Sequence, residues 1–254
     1  MEIEDRKQKI IEMLHEKGKV KVAELEKIFE VSGVTIRIDL DDLESKGILQ
    51  RVHGGAVISS YKPYYNMDFG QRMTTNKEEK MRIAEKAASM IKENDTVMFN
   101  SGTTTLLVFH ALPKNMNLNI LTNSVLIALE ASDNPNFNAI LLGGAVNPKY
   151  QFTYGDDACS QLDHYHAEKF ILSVDGVDPS GVISTCYNTE AEIARKMFKN
   201  SDMAIVAADY TKIGRKGFTK ISRLDRDDVI ITNDCAPADD IAELKQCVNE
   251  IILI

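Results

Sequence analysis

Four short stretches of the chain place hydroxyls, amides, carboxylates and an amine directly after apolar runs. The first, Asn100-Ser101-Gly102-Thr103-Thr104-Thr105, follows a strand-like run and opens a helix-like one. Hydroxyls and free N–H groups at a positive helix end suit a phosphate. The alternative is that these residues only cap the helix. The second, Thr122-Asn123-Ser124, has the same setting, and capping explains it equally well. The third, Asp175-Gly176-Val177-Asp178, offers two carboxylates for sugar hydroxyls or for acid/base work, or else an ordinary acidic turn. The fourth, Asp209-Tyr210-Thr211-Lys212, could supply a cation facing a phosphate, though a surface lysine reads the same way. Taken together, the four describe a site for a phosphorylated polyol, with the phosphate on one side and hydroxyls on the other.

Positioning these groups requires an α/β body. Strands are expected at 96–100, 118–122, 139–142, 170–174, 204–208, 229–232 and 251–254. Helices are expected at 78–92, 104–111, 125–132, 189–199 and 238–247. Apolar strands between amphipathic helices predict a mainly parallel sheet covered on both faces. Ligands of such sheets sit at the carboxyl ends of the strands, where all four stretches fall.

Ahead of this body the pattern changes. Helices are expected at 2–17, closed by Gly18, at 22–29, and at 34–46, where Ser32 can cap and Gly47 can close. Two short apolar runs then meet around His53-Gly54-Gly55 as a hairpin. This is a winged helix-turn-helix, a unit that serves either in a DNA major groove or as a protein-protein module. On the third helix Ile36, Leu40 and Leu43 form the buried stripe, leaving Val34, Ile38 and Ser45 opposite, flanked by Thr35 and Arg37. An exposed Ile38 fits contact with a thymine methyl or packing under another subunit. The head carries 10 Lys+Arg against 12 Asp+Glu, so charge does not decide between the two uses. The domains expected are thus 1–57, a linker at 58–75, and 76–254.

The whole chain of 254 residues has a formal net charge of −8 and 44% hydrophobic residues, which is enough apolar material for a buried core. No apolar run approaches the roughly 20 residues that span a bilayer, so no membrane partner and a cytoplasmic location are expected. Cys159, Cys186, Cys235 and Cys247 are widely spaced, without metal-ligand spacing, so neither disulfides nor a metal site is expected.

The head, from Val31-Ser32-Gly33-Val34-Thr35-Ile36-Arg37-Ile38-Asp39-Leu40 to Arg51-Val52-His53-Gly54-Gly55-Ala56, resembles the N-terminal signature of the DeoR family of bacterial transcription regulators. It departs from it at Ile38, where the family usually has a second Arg. The body resembles the family's effector domain, with matches at Asn76, Lys80, Ser101 to Thr105, Thr122-Asn123-Ser124, Asp175-Gly176, Glu190-Ala191, Asp209 and Lys212. Asn100 stands where an Asp is common. The resemblance implies a fold shared with ribose-5-phosphate isomerase and glucosamine-6-phosphate deaminase, and within the family the amino-sugar branch is most similar.

What the resemblance implies is a cofactor-free, non-enzymatic repressor of a sugar or amino-sugar operon. It would act as a homodimer or higher homo-oligomer on double-stranded operator DNA and be relieved by a phosphorylated sugar. Ser32, Val34, Thr35, Arg37, Ile38, Arg51 and His53 would face DNA. Ser101, Gly102, Thr103, Thr104, Thr105, Asn123, Ser124, Asp175, Glu190, Asp209 and Lys212 would hold the effector. Two alternatives stand beside this reading: a sugar-phosphate isomerase or deaminase, against which no His follows His166, and a winged-helix interaction module on a metabolite sensor.

Overall fold

The computed structural model describes residues 3–45, 49–52, 54–58 and 67–254. The chain divides into two compact units, Met1–Met67 and Asp68–Ile254.

The first unit runs α1 (Ile3–Lys17), β1 (Lys19–Lys21), α2 (Val22–Phe29), α3 (Gly33–Ser45), β2 (Leu49–Val52) and β3 (Gly55–Ile58). Gly18, at φ +68°, closes α1 in the left-handed conformation that glycine adopts without penalty. Ser32 Oγ accepts the Thr35 N–H at 3.2 Å and caps α3 as its sequence predicts. Ile36 and Leu40 are fully buried and Leu43 nearly so, packed with Ile10, Leu14, Leu25 and Leu49. A buried two-pronged ion pair from Arg6 to Asp39, 2.6 and 3.1 Å, ties α1 to α3. The sheet has three strands in the order β1-β3-β2, one more than the sequence suggests. Lys19-Val20-Lys21 is too short for its alternation to stand out, and it becomes a strand because β3 pairs with it. A Cβ on Gly55 would lie 2.1 Å from the Val20 carbonyl, so only glycine allows that approach. The expected end of the third helix at Lys46-Gly47, and His53 in the hairpin, lie outside the described residues.

The second unit contains α4 (Phe69–Thr74), α5 (Lys77–Ala88), β4 (Thr96–Phe99), α6 (Thr103–His110), β5 (Leu118–Thr122), α7 (Val125–Ser132), β6 (Phe137–Leu141), β7 (Ala145–Asn147), β8 (Phe152–Tyr154), α8 (Asp156–Gln161), β9 (Ala167–Leu172), β10 (Gly176–Val177), β11 (Val182–Thr185), α9 (Asn188–Lys199), β12 (Ser201–Ala207), β13 (Thr219–Arg223), β14 (Val229–Thr232), α10 (Ala238–Leu244) and β15 (Glu250–Leu253). Seven strands form one sheet, ordered β15-β14-β12-β9-β4-β5-β6 and parallel at every pairing. Alternate residues feed two cores: Met98, Phe170, Leu172 and Val206 face one side, and Val97, Phe99, Ile171 and Ile205 the other. The chain builds outward from β4 in one direction and from β9 in the other, so the boundary between these two strands is the switch point at which α/β sheets open a crevice.

Three features depart from the sequence reading. Helix α4 lies inside the stretch expected to be linker; its signal is a reciprocal cap in which Asp68 accepts the Gln71 N–H at 2.8 Å and Gln71 accepts the Asp68 N–H at 3.0 Å. Strands β7 and β8 form a separate hairpin. Strands β10, β11 and β13 form a small antiparallel sheet beyond the carboxyl end of β9. Strands of two to five residues carry little periodicity of their own, and β11 meets β13 only across α9 and β12.

Candidate functional site

At the switch point the ends of β4 and β9 are held together. Asn100 Nδ2 donates to the Ser173 carbonyl at 2.9 Å, while its Oδ1 accepts from Ser173 N at 3.0 Å and from Thr105 Oγ1 at 2.9 Å. An amide both donates and accepts here, which an ionised carboxylate could not do. A Cβ on Gly102 would sit 1.9 Å from Ser173 Oγ, so the two loops close only over glycine. No side chain caps the first turn of α6. The capping explanation therefore does not hold for this stretch, and the first-turn N–H groups carry their partial positive charge unscreened by a cap.

Around that turn three cations and three carboxylates converge from separate elements. Lys80, on α5 and fully buried, donates from Nζ to the Arg72 carbonyl at 2.6 Å and to Thr103 Oγ1 at 3.3 Å. Burial is the main reason its pKa falls to about 8. Arg72, on α4, stands with Nη1 3.8 Å from Asp175 Oδ1 and its guanidinium 4.6 Å over the Tyr150 ring. Lys212 follows β12 and is buried; burial lowers its pKa to about 7 against the pull of the Asp209 and Asp175 charges. Asp209 accepts from Asn76 Nδ2 at 3.3 Å and from Thr211 N at 3.0 Å, both on Oδ1, while its buried Oδ2 accepts no hydrogen bond among the described residues. Asp175 Oδ2 accepts from Cys186 N at 2.8 Å and Thr185 Oγ1 at 3.0 Å. Burial pushes Asp175 up, but Lys212, Arg72 and these hydrogen bonds outweigh it and hold the carboxyl below its ordinary range. Glu190, in the first turn of α9, reaches Thr185 Oγ1 at 2.7 Å.

The structure thus brings Gly102, Thr103, Asp175, Glu190, Asp209 and Lys212 together with Arg72, Asn76 and Lys80. Thr104 is buried in the same first turn. Other expected residues are turned to structural tasks. Thr105 binds Asn100; Ser101 gives its N–H to Asn123 Oδ1 at 3.1 Å; Asn123 Nδ2 reaches the Thr153 carbonyl at 3.2 Å. Ser124 caps α7 through the Ile127 N–H at 3.3 Å, so capping does explain the second stretch. Asp178 is taken up by its own turn, accepting from Ser180 N at 2.9 Å and Lys216 Nζ at 2.8 Å. Arg72 is absent from the residues expected at the site, because it falls in the stretch read as linker; the Asp68/Gln71 cap is the signal that could have found it. Among the described residues no cluster of His, Cys, Asp or Glu could hold a metal ion, and no helix is long and apolar enough to cross a membrane.

In the first unit, Val34 and Ile38 each keep 63% of their surface exposed, and Arg37 is exposed beside them. Thr35 shares its hydroxyl with Ser32 at 3.0 Å. Arg51 pairs with Asp41 and donates to the Arg37 carbonyl at 3.2 Å. It thereby neutralises Asp41, one turn beyond Arg37 on α3. His53 is outside the described residues.

Residues 6–62 match the DeoR-like helix-turn-helix domain and residues 75–234 the DeoR C-terminal sensor domain. A protein of Escherichia coli O157:H7 named as an aga operon transcriptional repressor is 32% identical over 98% of this chain and 93% of its own. The glycerol-3-phosphate regulon repressor of Escherichia coli K12 is 31% identical over 90% of each chain. A solved ribose 5-phosphate isomerase A of Methanocaldococcus jannaschii overlaps 52% of each chain at a TM-score of 0.39 and 14% identity. With both domains matched in order, and relatives aligned nearly end to end, the chain belongs to the DeoR family of transcription regulators.

Proposed function

We propose that the first unit binds an operator in double-stranded DNA and that the second binds a phosphorylated sugar or amino sugar, whose arrival weakens DNA binding and relieves repression. The observation that carries the ligand is the gathering of Arg72, Lys80 and Lys212 with Asp175 and Asp209 beside the uncapped first turn of α6, which Lys80 reaches through Thr103. Cations and N–H groups match a phosphate, and carboxylates match hydroxyls. The relatives named for the aga operon and the glycerol-3-phosphate regulon support the same class. The site binds without turnover, cofactor or metal: its carboxylates hold hydroxyls, and no imidazole follows His166 to open a ring.

On DNA, Val34, Thr35, Arg37 and Ile38 approach base edges in the major groove, while Ser32 and His53 anchor phosphates and Arg51 keeps Asp41 from repelling them. Two copies on a twofold axis would read half-sites about 34 Å apart, or a multiple of that. Coupling enters at α4, the first element of the second unit: a ligand that draws Arg72 from Asp175 acts on the segment where the chain arrives from the first unit. A coupling of about 1–3 kcal/mol would weaken operator binding roughly 5- to 150-fold.

A thermal-shift screen of sugar phosphates tests the ligand, since binding to the folded state alone raises its stability. Duplex binding measured against salt tests the DNA, because phosphate neutralisation makes affinity fall steeply with ionic strength. Conversion of a sugar phosphate at an enzymatic rate, or no affinity for duplex DNA at low salt, sinks the reading.

A further inference from the structure

Thr185 Oγ1 stands within hydrogen-bond distance of two carboxyl groups at once, 3.0 Å from Asp175 Oδ2 and 2.7 Å from Glu190 Oε2. A hydroxyl has one proton to donate, so it can satisfy one ionised carboxylate and not two. The second contact is attractive only if that carboxyl brings a proton of its own. The surroundings decide which one does. Asp175 receives the Cys186 N–H, faces Arg72, and has Lys212 as a further neighbouring cation. Glu190 stands across the Thr185 hydroxyl from Asp175, with Arg72 as the cation that acts on it.

We propose that Glu190 is a specificity-determining residue that carries a proton in the ligand-free protein, donating to Thr185, which in turn donates to ionised Asp175. The site then meets a ligand with an un-ionised acid at this position. A sugar hydroxyl or carbonyl fits it without moving the proton, an ammonium fits only with its release, and a carboxylate meets the Asp175 charge behind it. The role in selection rests on the sugar-binding reading above, while the position of the proton does not. Burial first, and then the Asp175 charge, push Glu190 up to about 7, whereas the Cys186 thiol beside Asp175 is driven by burial to about 12 and stays out of the exchange.

Infrared spectroscopy of the ligand-free full chain tests this with no ligand needed. The carbonyl stretch of an un-ionised carboxylic acid is expected at mildly acidic pH, fading with a midpoint near 7 and missing in Glu190→Gln. In Asp175→Asn, with the neighbouring charge gone, the midpoint should fall below 7 but stay above the ordinary glutamate value of about 4.3, because burial remains. No acid band in the wild type with a midpoint near 7, or a band with that midpoint that survives Glu190→Gln, overturns the proposal. If Glu190→Gln does not fold, an unmoved midpoint in Asp175→Asn overturns it. A failed ligand screen leaves these outcomes intact, so the two readings fail separately.

Discussion

The two units dispose of their chemistry in opposite ways. In the first, the side chains proposed to meet DNA stand outside: Val34 and Ile38 are 63% exposed and Arg37 is exposed between them, while the ion pair Arg6–Asp39 is sealed below. In the second the charges themselves are inside, with Lys80, Lys212 and Asp209 each at most 3% exposed and balanced against one another. A groove reader must present its groups to a surface it cannot engulf. A pocket for a small anion gains by withdrawing its charges from water, where each interaction strengthens as the local dielectric falls. Buried charges persist only when paired, so the ligand-free site holds itself together with the groups it would offer to a ligand.

The largest expected effect tests whether the units are independent. Asp39→Ala leaves Arg6 buried without its carboxylate, an expected loss of about 3–5 kcal/mol. Urea unfolding should show the first unit melting early while the second keeps its own transition; a single shared transition would break the comparison. Next, Lys212→Ala removes a buried cation from the second unit. Sugar-phosphate affinity should fall by roughly 1.5–3 kcal/mol by calorimetry, with operator binding retained.

The same lysine sets a pH dependence. Its folded pKa is lowered to about 7, so above that pH the free protein must take up a proton to present a cation. Affinity should drop by up to about tenfold per pH unit, and Lys212→Arg should flatten that slope. Arg37→Ala should weaken operator binding by about 1–3 kcal/mol and leave ligand affinity unchanged; parallel loss of both would deny the separation of roles. The smallest effect is expected from Ser124→Ala, which removes only the cap of α7 and should cost about 1 kcal/mol of stability, read from thermal melts, with both binding activities intact.

Much of the frame is legible in the residues themselves. The stripe Ile36, Leu40, Leu43 and the cap Ser32 define α3, and seven apolar runs define the sheet, because helices and strands with one or two buried faces impose a local period on their own sequence. The switch point follows once strand order is known, yet order is a long-range property that no single segment carries. Arg72 shows the cost: α4 has no buried side chain to mark it as a helix, and only the cap at Asp68 announces it.

By itself, then, the sequence determined the longer helices, the seven strands of the main sheet, the exposed face of α3 and the strand ends at which polar residues gather. The tertiary structure alone decided which of those polar residues stand together around the first turn of α6. Thr105, Asn123 and Ser124 are polar like Thr103, but they spend their side chains on Asn100, on the Ser101 N–H and Thr153 carbonyl, and on the Ile127 N–H. The reason is geometric. A hydroxyl or amide caps, bridges or binds according to what stands within about 3 Å of it, and those neighbours come from strands distant in the chain.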